Sequence, residues 1–326
     1  MGPLKFLPLL KRIRWGGRRL GEVLGKSIGM QSDYAESWEI CDHGADQSLV
    51  ASGEFAGWTL QKLVQECSVE LLGRHADELY RGARQFPLLI KFLDAHDRLS
   101  VQVHPNDEQA DKFLRGERGK TEAWVILASE PGSCVYAGLK TGVTPEALRE
   151  ALNEGTVEAC LHRVDVSSGD CLFIPAGTIH AIGEGILVAE VQQSSDLTFR
   201  LYDWNRVGAD GKPRELHVEQ SVACIDFDCG PVNPVVPAPL FDAGQKSELL
   251  ATCPYFTMRR HAVERPLSFP DDNRCRILVA LDGAAECIAA GERQQVRKGE
   301  TLLIPAAGHP AKLEPQPHAV VLEVFW

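Results

Sequence analysis

The chain of 326 residues has no long hydrophobic run and no surplus of basic residues. No stretch approaches the roughly 18 uninterrupted apolar residues of a membrane-spanning helix. The apolar run Phe6–Leu10 is interrupted by Pro8 and is too short for a secretory signal. Lys and Arg number 34 against 45 Asp and Glu, which gives a formal net charge of −11. General nucleic-acid binding needs a basic surface, so we expect neither a nucleic acid nor a membrane as a partner.

The sequence also lacks CxxC pairs, although it contains ten cysteines. Scattered cysteines in a long chain are typical of small buried thiols in a reducing compartment, and they argue against a disulfide framework or a zinc ribbon. We therefore predict a cytoplasmic protein. The cysteines are Cys41, Cys67, Cys134, Cys160, Cys171, Cys224, Cys229, Cys253, Cys275 and Cys287.

What is present predicts a mainly β protein with a few helical segments. Short apolar runs separated by Gly, Pro and Ser turns, as in residues 157–202, are typical of a β sandwich or barrel. Apolar residues at helical spacing predict a helix within residues 59–84. Cap residues predict two more helical segments, at 106–118 and at 144–155.

A proline-rich segment divides the chain. Four prolines fall within Pro231–Pro239, a density that a central strand does not tolerate. We predict a first, catalytic module at residues 1–230, a linker at 231–245 and a second β module of short strands, without a convincing helix, at 246–326.

An internal repeat supports two related modules. The stretch Gly169–Gly177 (GDCLFIPAG) recurs 130 residues later as Gly299–Ala307 (GETLLIPAA). The first copy continues to His180, whereas the equivalent position of the second copy is Pro310, with His309 one residue out of phase. A shift of one residue on a strand reverses the face of a side chain. We therefore predict that the second module lacks a metal site and serves as scaffolding.

Polar side chains on predicted strands of the first module form a candidate metal site. Gln102 and His104 alternate with two valines and so share one face of a strand. Lys120 and Glu122 share a face in the same way, and His180 follows a Pro-Ala-Gly turn. A lone strand histidine is more often a hydrogen-bonded core residue than a ligand, but the combined pattern favours a site. Two imidazoles, a carboxylate and an amide oxygen suit zinc, manganese or iron with open positions.

The spacing of these residues resembles that of the cupin fold, a jelly-roll barrel that commonly holds one divalent metal. The order Gly169-x5-Pro175-x-Gly177-x2-His180 matches the second cupin motif. The first motif usually has a His-x-His pair followed closely by Glu. Here the pair is Gln-x-His, and Glu122 follows only after the predicted helical insertion at 106–118. We expect a metal-bearing cupin module followed by a smaller cupin-like module.

Several motifs in the right order resemble the class I mannose-6-phosphate isomerases, in their short bacterial form without the large helical domain. The similarity extends well over residues 5–215 and only loosely over the tail. The stretches that carry it are Trp15–Gly17, Glu36–Glu39, Pro87–Ala95, Leu99–Asp107, Gly119–Trp124, Ile174–His180, Glu190–Asp196 and Arg200–Trp204.

The resemblance implies a zinc-dependent isomerase that interconverts mannose 6-phosphate and fructose 6-phosphate. Its partner would be a small sugar phosphate, and the oligomeric state stays open, with a monomer slightly favoured. The implied zinc ligands are Gln102, His104, Glu122 and His180. The positions with implied catalytic or substrate-binding roles are Ser100, Lys120, Glu190 and Arg200.

Glu190 is the first candidate for the proton carrier. It lies in an apolar strand, where a carboxylate is costly unless it is used or paired. The alternative is a structural Glu190 that bonds to Arg200 or Lys120.

Arg200 and Lys120 are candidate cations for the phosphate or for a developing oxyanion. Arg200 could instead form a salt bridge with Asp203 or Asp196, and Lys120 could be a solvated surface residue. Ser100 shares a face with Gln102 and is a weaker candidate for a phosphate contact. The remaining tryptophans and cations near these motifs are interpreted as core residues (Trp15, Trp38, Trp124) and solvated charges (Arg206, Lys212, Arg214).

Two other functions fit a cupin barrel. An iron-dependent dioxygenase usually has a ligand set richer in histidine, and a non-catalytic sugar-sensing cupin could have lost ligands. The amide of Gln102, the cations Lys120 and Arg200, and the filled ligand positions favour the isomerase.

Overall fold

The computed structural model describes residues 1–74, 85–207, 211–242 and 245–326 as a mainly β protein. The first half contains β1 (Phe6–Leu7), β2 (Leu9–Gly17), β3 (Tyr34–Ile40), β4 (Asp42–His43), β5 (Asp46–Gln47), β6 (Leu49–Val50), β7 (Leu88–Ala95), β8 (Val101–Val103), β9 (Glu122–Ser129), β10 (Cys134–Leu139), β11 (Leu161–Asp165), β12 (Cys171–Ile174), β13 (His180–Ile182), β14 (Ile186–Gln193) and β15 (Phe199–Tyr202). The second contains β16 (Ala238–Asp242), β17 (Gln245–Thr252), β18 (Thr257–Val263), β19 (Leu267–Phe269), β20 (Arg276–Ala289), β21 (Glu292–Arg297), β22 (Thr301–Ile304) and β23 (Ala311–Phe325).

Helices lie at the periphery of these strands. They are α1 (Arg19–Glu22), α2 (Leu60–Glu66), α3 (Ser68–Leu72), α4 (Asp107–Phe113), α5 (Pro145–Glu154) and α6 (Val218–Cys224), with 3-10 turns at Val157–Cys160 and Ala306–Gly308. No helix within the described ranges is long and apolar enough to cross a membrane.

Two antiparallel sheets form the first barrel. One has the order β11-β10-β13-β8-β15, and the other has the order β12-β9-β14-β7-β3-β2. Their inner faces share a core in which Trp124 and Leu93 of the second sheet pack with Val135 and Ile182 of the first. This arrangement confirms the predicted mainly β, cupin-type fold.

Two predicted helices are confirmed together with their caps. The Asn106 side chain accepts a hydrogen bond from the amide of Gln109, and the Gln109 side-chain oxygen accepts one from the amide of Asn106, which completes a capping box at α4. Helix α5 begins after Thr144 and ends at Gly155, whose φ of 72° is in the left-handed region. The helix predicted within residues 59–84 is two short helices, α2 and α3, and residues 75–84 lie outside the described part.

The second half departs from the prediction in two ways. Strand β16 lies inside the predicted linker, where Pro239 occupies the edge of an eight-stranded sheet and needs no ladder partner for its missing N–H. The strands are also not all short, since β20 spans 14 residues and β23 spans 15. Gly283, which resembles a turn residue in the sequence, lies within β20 at a shift of register.

The two halves share one apolar cluster. Leu20 and Ile40 of the first half belong to the same buried group as Phe256 and Ile277 of the second. Leu4 also pairs with Leu303 as an isolated β-bridge. The eight strands β16–β23, here called the second barrel, thus pack directly against the first barrel.

All ten cysteines are free, and six of them are buried. Burial raises the pKa of the Cys41 and Cys171 thiols to about 12 and that of Cys224 to about 11. These six agree with the predicted buried thiols. Cys229, by contrast, is exposed.

Candidate active site

A cavity of about 330 Å³ opens between the two sheets of the first barrel. Its wall is formed by side chains of β2, β3, β7, β8, β9, β13, β14 and β15 and of the segments beside them. Five residues singled out from the sequence contribute to this wall: Ser100, Gln102, Lys120, Glu190 and Arg200.

Three ligand-type side chains converge next to this cavity. Glu122 is the first residue of β9 and His180 the first of β13, while His104 directly follows β8. Their nearest nitrogen and oxygen atoms all lie within 4.8 Å of one another, and all three side chains are buried. The two carboxylate oxygens of Glu122 lie 3.5 Å from His104 Nε2 and 3.4 Å from His180 Nε2. Strand pairing places Gln102 directly opposite His180.

Each imidazole is oriented by a backbone carbonyl. His104 Nδ1 lies 3.1 Å from the carbonyl oxygen of Leu197, and His180 Nδ1 lies 2.9 Å from that of Thr178. A proton on each Nδ1 leaves each Nε2 as the lone-pair atom directed at Glu122. Burial, together with the charge of Lys120, lowers the pKa of His104 well below its ordinary value. Burial also lowers the pKa of His180 to about 4, so both rings are neutral at pH 7.

Lys120 lies among the ligand-type side chains. Its ammonium is 3.0 Å from Glu122 Oε2 and 3.1 Å from His104 Nε2, and the side chain is buried. The possibility of a solvated surface lysine is therefore excluded.

Glu190 is buried between two partners. Trp124 Nε1 donates a hydrogen bond to Glu190 Oε2 at 3.1 Å, and Lys91 Nζ lies 3.5 Å from Glu190 Oε1. Lys91 also lies 3.6 Å from Glu36. Burial alone would lower the pKa of the Lys91 ammonium, but the charges of Glu36 and Glu190 raise it above its ordinary value. Glu190 therefore contacts Trp124 and Lys91. The alternative prediction, in which Glu190 bonds to Arg200 or Lys120, named different partners.

Arg200 lies at another part of the same wall. Its Nε donates to Ser100 Oγ at 3.3 Å and its Nη1 donates to the carbonyl oxygen of Glu215 at 2.9 Å. Asp203, one of the partners considered for Arg200, instead lies 2.5 Å from Arg206 and 3.9 Å from Arg214. Burial lowers the pKa of Arg200.

Two arginines that were interpreted from the sequence as solvated charges, Arg206 and Arg214, are partly or largely buried in the structure. Arg214 is half-buried and lines the cavity, where burial and then the charge of Arg200 lower its pKa. Arg206 is largely buried beside Asp203 and Asp97. The interpretation of these two arginines as solvated charges is therefore wrong. The three tryptophans Trp15, Trp38 and Trp124 are buried as predicted, although Trp15 and Trp124 also face the cavity.

Sequence reasoning missed Lys91, Glu36, Asp196 and Thr198 as cavity residues. One signal was available for Lys91, because it is the single charged residue in the run Phe86–Leu93. A lone lysine in a buried strand needs a carboxylate partner.

Family models match both halves of the chain. The catalytic domain of phosphomannose isomerase type I matches residues 4–128, and the cupin domain of mannose-6-phosphate isomerase matches residues 246–323.

Individual relatives match nearly the whole chain. Mannose-6-phosphate isomerase ManA of Bacillus subtilis is 36% identical over 323 residues, which cover 98% of each chain. A mannose-6-phosphate isomerase of Streptococcus mutans is 34% identical over 89% of this chain and 88% of its own. Among solved structures, the mannose 6-phosphate isomerase from Bacillus subtilis superposes with a TM-score of 0.87 at 28% identity over the full length of both chains.

Proposed function

The chain belongs to the type I phosphomannose isomerase family, and from this premise we propose that it interconverts mannose 6-phosphate and fructose 6-phosphate with a bound divalent metal, zinc. One observation carries the proposal. The buried cluster of His104, Glu122 and His180 adjoins a cavity whose wall combines a buried carboxylate, Glu190, with several cations. An aldose–ketose isomerase needs this combination, because it moves a proton between neighbouring carbons while negative charge develops on oxygen.

The donor set fits a divalent metal. We propose that Gln102, His104, Glu122 and His180 hold it. The two imidazoles are neutral with Nε2 directed at the carboxylate, and no thiolate takes part, as is usual for a catalytic rather than a closed structural site. Gln102 Nε2 lies 3.3 Å from His180 Nε2, and turning the amide about its last bond presents its oxygen instead. When bound there, the ion would act as a Lewis acid toward the substrate oxygens.

The net charge around the cavity also supports a metal. Four cations and three carboxylates line it, and Glu122 of the adjoining cluster brings the carboxylates to four, so the side chains alone offer no positive excess to a phosphorylated sugar. A divalent ion would supply that excess in a protein whose overall charge is −11. The cations are Lys91, Lys120, Arg200 and Arg214, and the carboxylates are Glu36, Glu122, Glu190 and Asp196.

We propose that Glu190 carries the proton. Its carboxylate would take the proton from C2 of the open-chain sugar and return it to C1, through an enediol(ate) of the substrate, while the hydroxyl proton of O2 passes to O1. Trp124 and Lys91 hold the carboxylate in one orientation. Lys120, with its ammonium beside the ligand cluster, would donate a hydrogen bond to the oxygen on which charge develops.

We propose that Arg200 and Ser100 bind the phosphate. They already hydrogen-bond to each other, so two donors face the same part of the cavity.

The buried and free thiols further support the proposal that the enzyme works in the cytoplasm.

The proposed function is tested by metal analysis and a coupled assay on the purified protein. We expect about one zinc ion per chain, formation of fructose 6-phosphate from mannose 6-phosphate, loss of turnover after chelation and recovery when the metal is returned. The absence of turnover with zinc, cobalt and manganese each restored would contradict the proposal.

The phosphate role of Arg200 predicts a selective defect. Replacing it with methionine (Arg200→Met) removes a charge-assisted contact of about 2 kcal/mol, so kcat/KM for mannose 6-phosphate should fall roughly 30-fold, mostly through KM. Steady-state kinetics measure this, with free mannose as a second substrate that lacks the phosphate.

A matched control is Arg149→Met, which breaks an exposed ion pair with Glu219 outside the cavity and should leave the kinetics unchanged. An equal loss with mannose and with mannose 6-phosphate would place the action of Arg200 at the reacting carbons instead of the phosphate.

A further inference from the structure

A tyrosine of the second barrel reaches the segment that carries the catalytic lysine. Tyr255 lies in the turn between β17 and β18, and its hydroxyl donates a hydrogen bond to Asp107 Oδ2 at 2.8 Å. Asp107 is the first residue of α4, 148 positions earlier in the chain. The second barrel therefore contacts the first not only through apolar packing but also through this polar contact.

The other oxygen of Asp107 holds the chain on both sides of Lys120. Asp107 Oδ1 accepts hydrogen bonds from the amide of Gly119 at 2.8 Å and from Gln193 Nε2 at 3.0 Å. Gln193 Oε1 in turn accepts a hydrogen bond from the amide of Thr121 at 2.9 Å. One carboxylate and one amide thus fix the backbone immediately before and immediately after Lys120.

Close packing leaves this segment little freedom. A Cβ on Gly119 would lie 2.6 Å from the backbone of Asn106 and of Asp107, so the chain runs directly against the start of α4. The Lys120 amide also donates to the carbonyl oxygen of Pro105 at 3.0 Å. Glu122, two residues further on, belongs to the ligand cluster.

The hydroxyl of Tyr255 occupies one of the two oxygens of the Asp107 carboxylate. An aspartate in the first turn of a helix is favourable by itself, so the place of Asp107 at the start of α4 does not depend on Tyr255. With Tyr255 on Oδ2, however, Oδ1 is left for Gly119 and Gln193. Without it, rotation about the terminal bond of Asp107 becomes less restricted.

We propose that Tyr255 is a positioning residue for the isomerisation. It acts through Asp107 and Gln193 on the backbone at Lys120, and it gives the second barrel a part in the reaction beyond scaffolding. The inference rests on the proposed function. Because proton transfer and charge stabilisation depend on placement within a fraction of an ångström, a loosened Lys120 lowers kcat more than it changes substrate binding.

The test is Tyr255→Phe in the full-length, metal-loaded enzyme, which removes only the hydroxyl. We expect kcat to fall about fivefold to twentyfold, with KM within about twofold and the metal content unchanged. Hydrogen exchange followed by mass spectrometry should be faster in the peptide that contains Gly119 and Thr121. The control Thr252→Val, which removes a hydroxyl contact with Thr257 in the same barrel, should leave both readouts at the wild-type value.

A double-mutant cycle decides the route of action. If Tyr255 acts through Asp107, then Tyr255→Phe should have no further effect on kcat in the Asp107→Asn background. Multiplicative losses of kcat, an unchanged kcat in Tyr255→Phe, or unchanged exchange at Gly119 and Thr121 would each overturn the inference. An inactive wild-type enzyme would contradict the proposed function instead, and the exchange measurement, which needs no turnover, would still report on the contact.

Discussion

The variant His180→Ala is expected to lose its metal while the barrel stays folded. Because the metal is lost, kcat should fall on the order of 10³-fold or more. His180 is completely buried, its Nδ1 is held by the carbonyl of Thr178, and its Nε2 lies 3.4 Å from Glu122. Removing the imidazole takes away one proposed ligand and leaves His104 as the remaining imidazole of the cluster. Metal content by mass spectrometry, circular dichroism and kcat measure the three parts of the expectation.

The internal repeat offers a matched control. His309 occupies almost the same place in the second copy, but it is half-buried and bonds to Arg276 and the carbonyl of Arg274. His309→Ala should therefore keep its metal and its activity. Global unfolding of His180→Ala would show that this histidine is structural, and a variant that retains full metal would remove it from the ligand set.

The variant Glu190→Gln is expected to retain the metal, while its kcat falls by a factor between about 10² and 10⁴. Glutamine keeps the shape of the side chain and can still accept the hydrogen bond from Trp124 through its oxygen. It cannot take a proton from carbon. Metal analysis and kcat at saturating substrate distinguish loss of chemistry from loss of the site.

The substitution also removes a charge next to Lys91, so a control for that effect is needed. Glu36 lies at nearly the same distance from Lys91, 3.6 Å against 3.5 Å for Glu190, and accepts a hydrogen bond from Trp38. Glu36→Gln perturbs Lys91 in the same way and should cost much less kcat than Glu190→Gln. Equal losses in the two variants would mean that the ionisation of Lys91, not proton transfer by Glu190, limits the reaction.

The candidate ligands could be predicted from the sequence because local rules determine where they point. Gln102 and His104 lie two apart on a strand, and His180 follows a turn whose spacing is fixed by Pro175 and Gly177. Helices α4 and α5 were predictable for a similar reason, since their caps are adjacent in sequence. In the structure, the first turn of each helix uses those caps.

What could not be predicted depends on residues far apart in the chain. Lys91 meets Glu36 and Glu190 only because β3, β7 and β14 lie side by side in one sheet, and the apolar run around Lys91 gives no phase from which to infer a face. Arg214 belongs to a polar segment whose sequence resembles a solvated turn, but in the structure the Arg214 side chain lines the cavity. Likewise, β20 extends for 14 residues through Gly283, because the sheet accommodates this glycine at a shift of register.

The apolar cluster shared by the two halves has a consequence for the duplicated module. Its second copy lacks the phased histidine of the first, and a domain without chemistry would ordinarily be dispensable. Deleting it here would uncover Leu20, Ile40 and their neighbours, which pack with Phe256 and Ile277. Exposed apolar surface of this kind promotes aggregation. The second barrel therefore covers an apolar surface of the first half, and we expect a truncated gene product to aggregate.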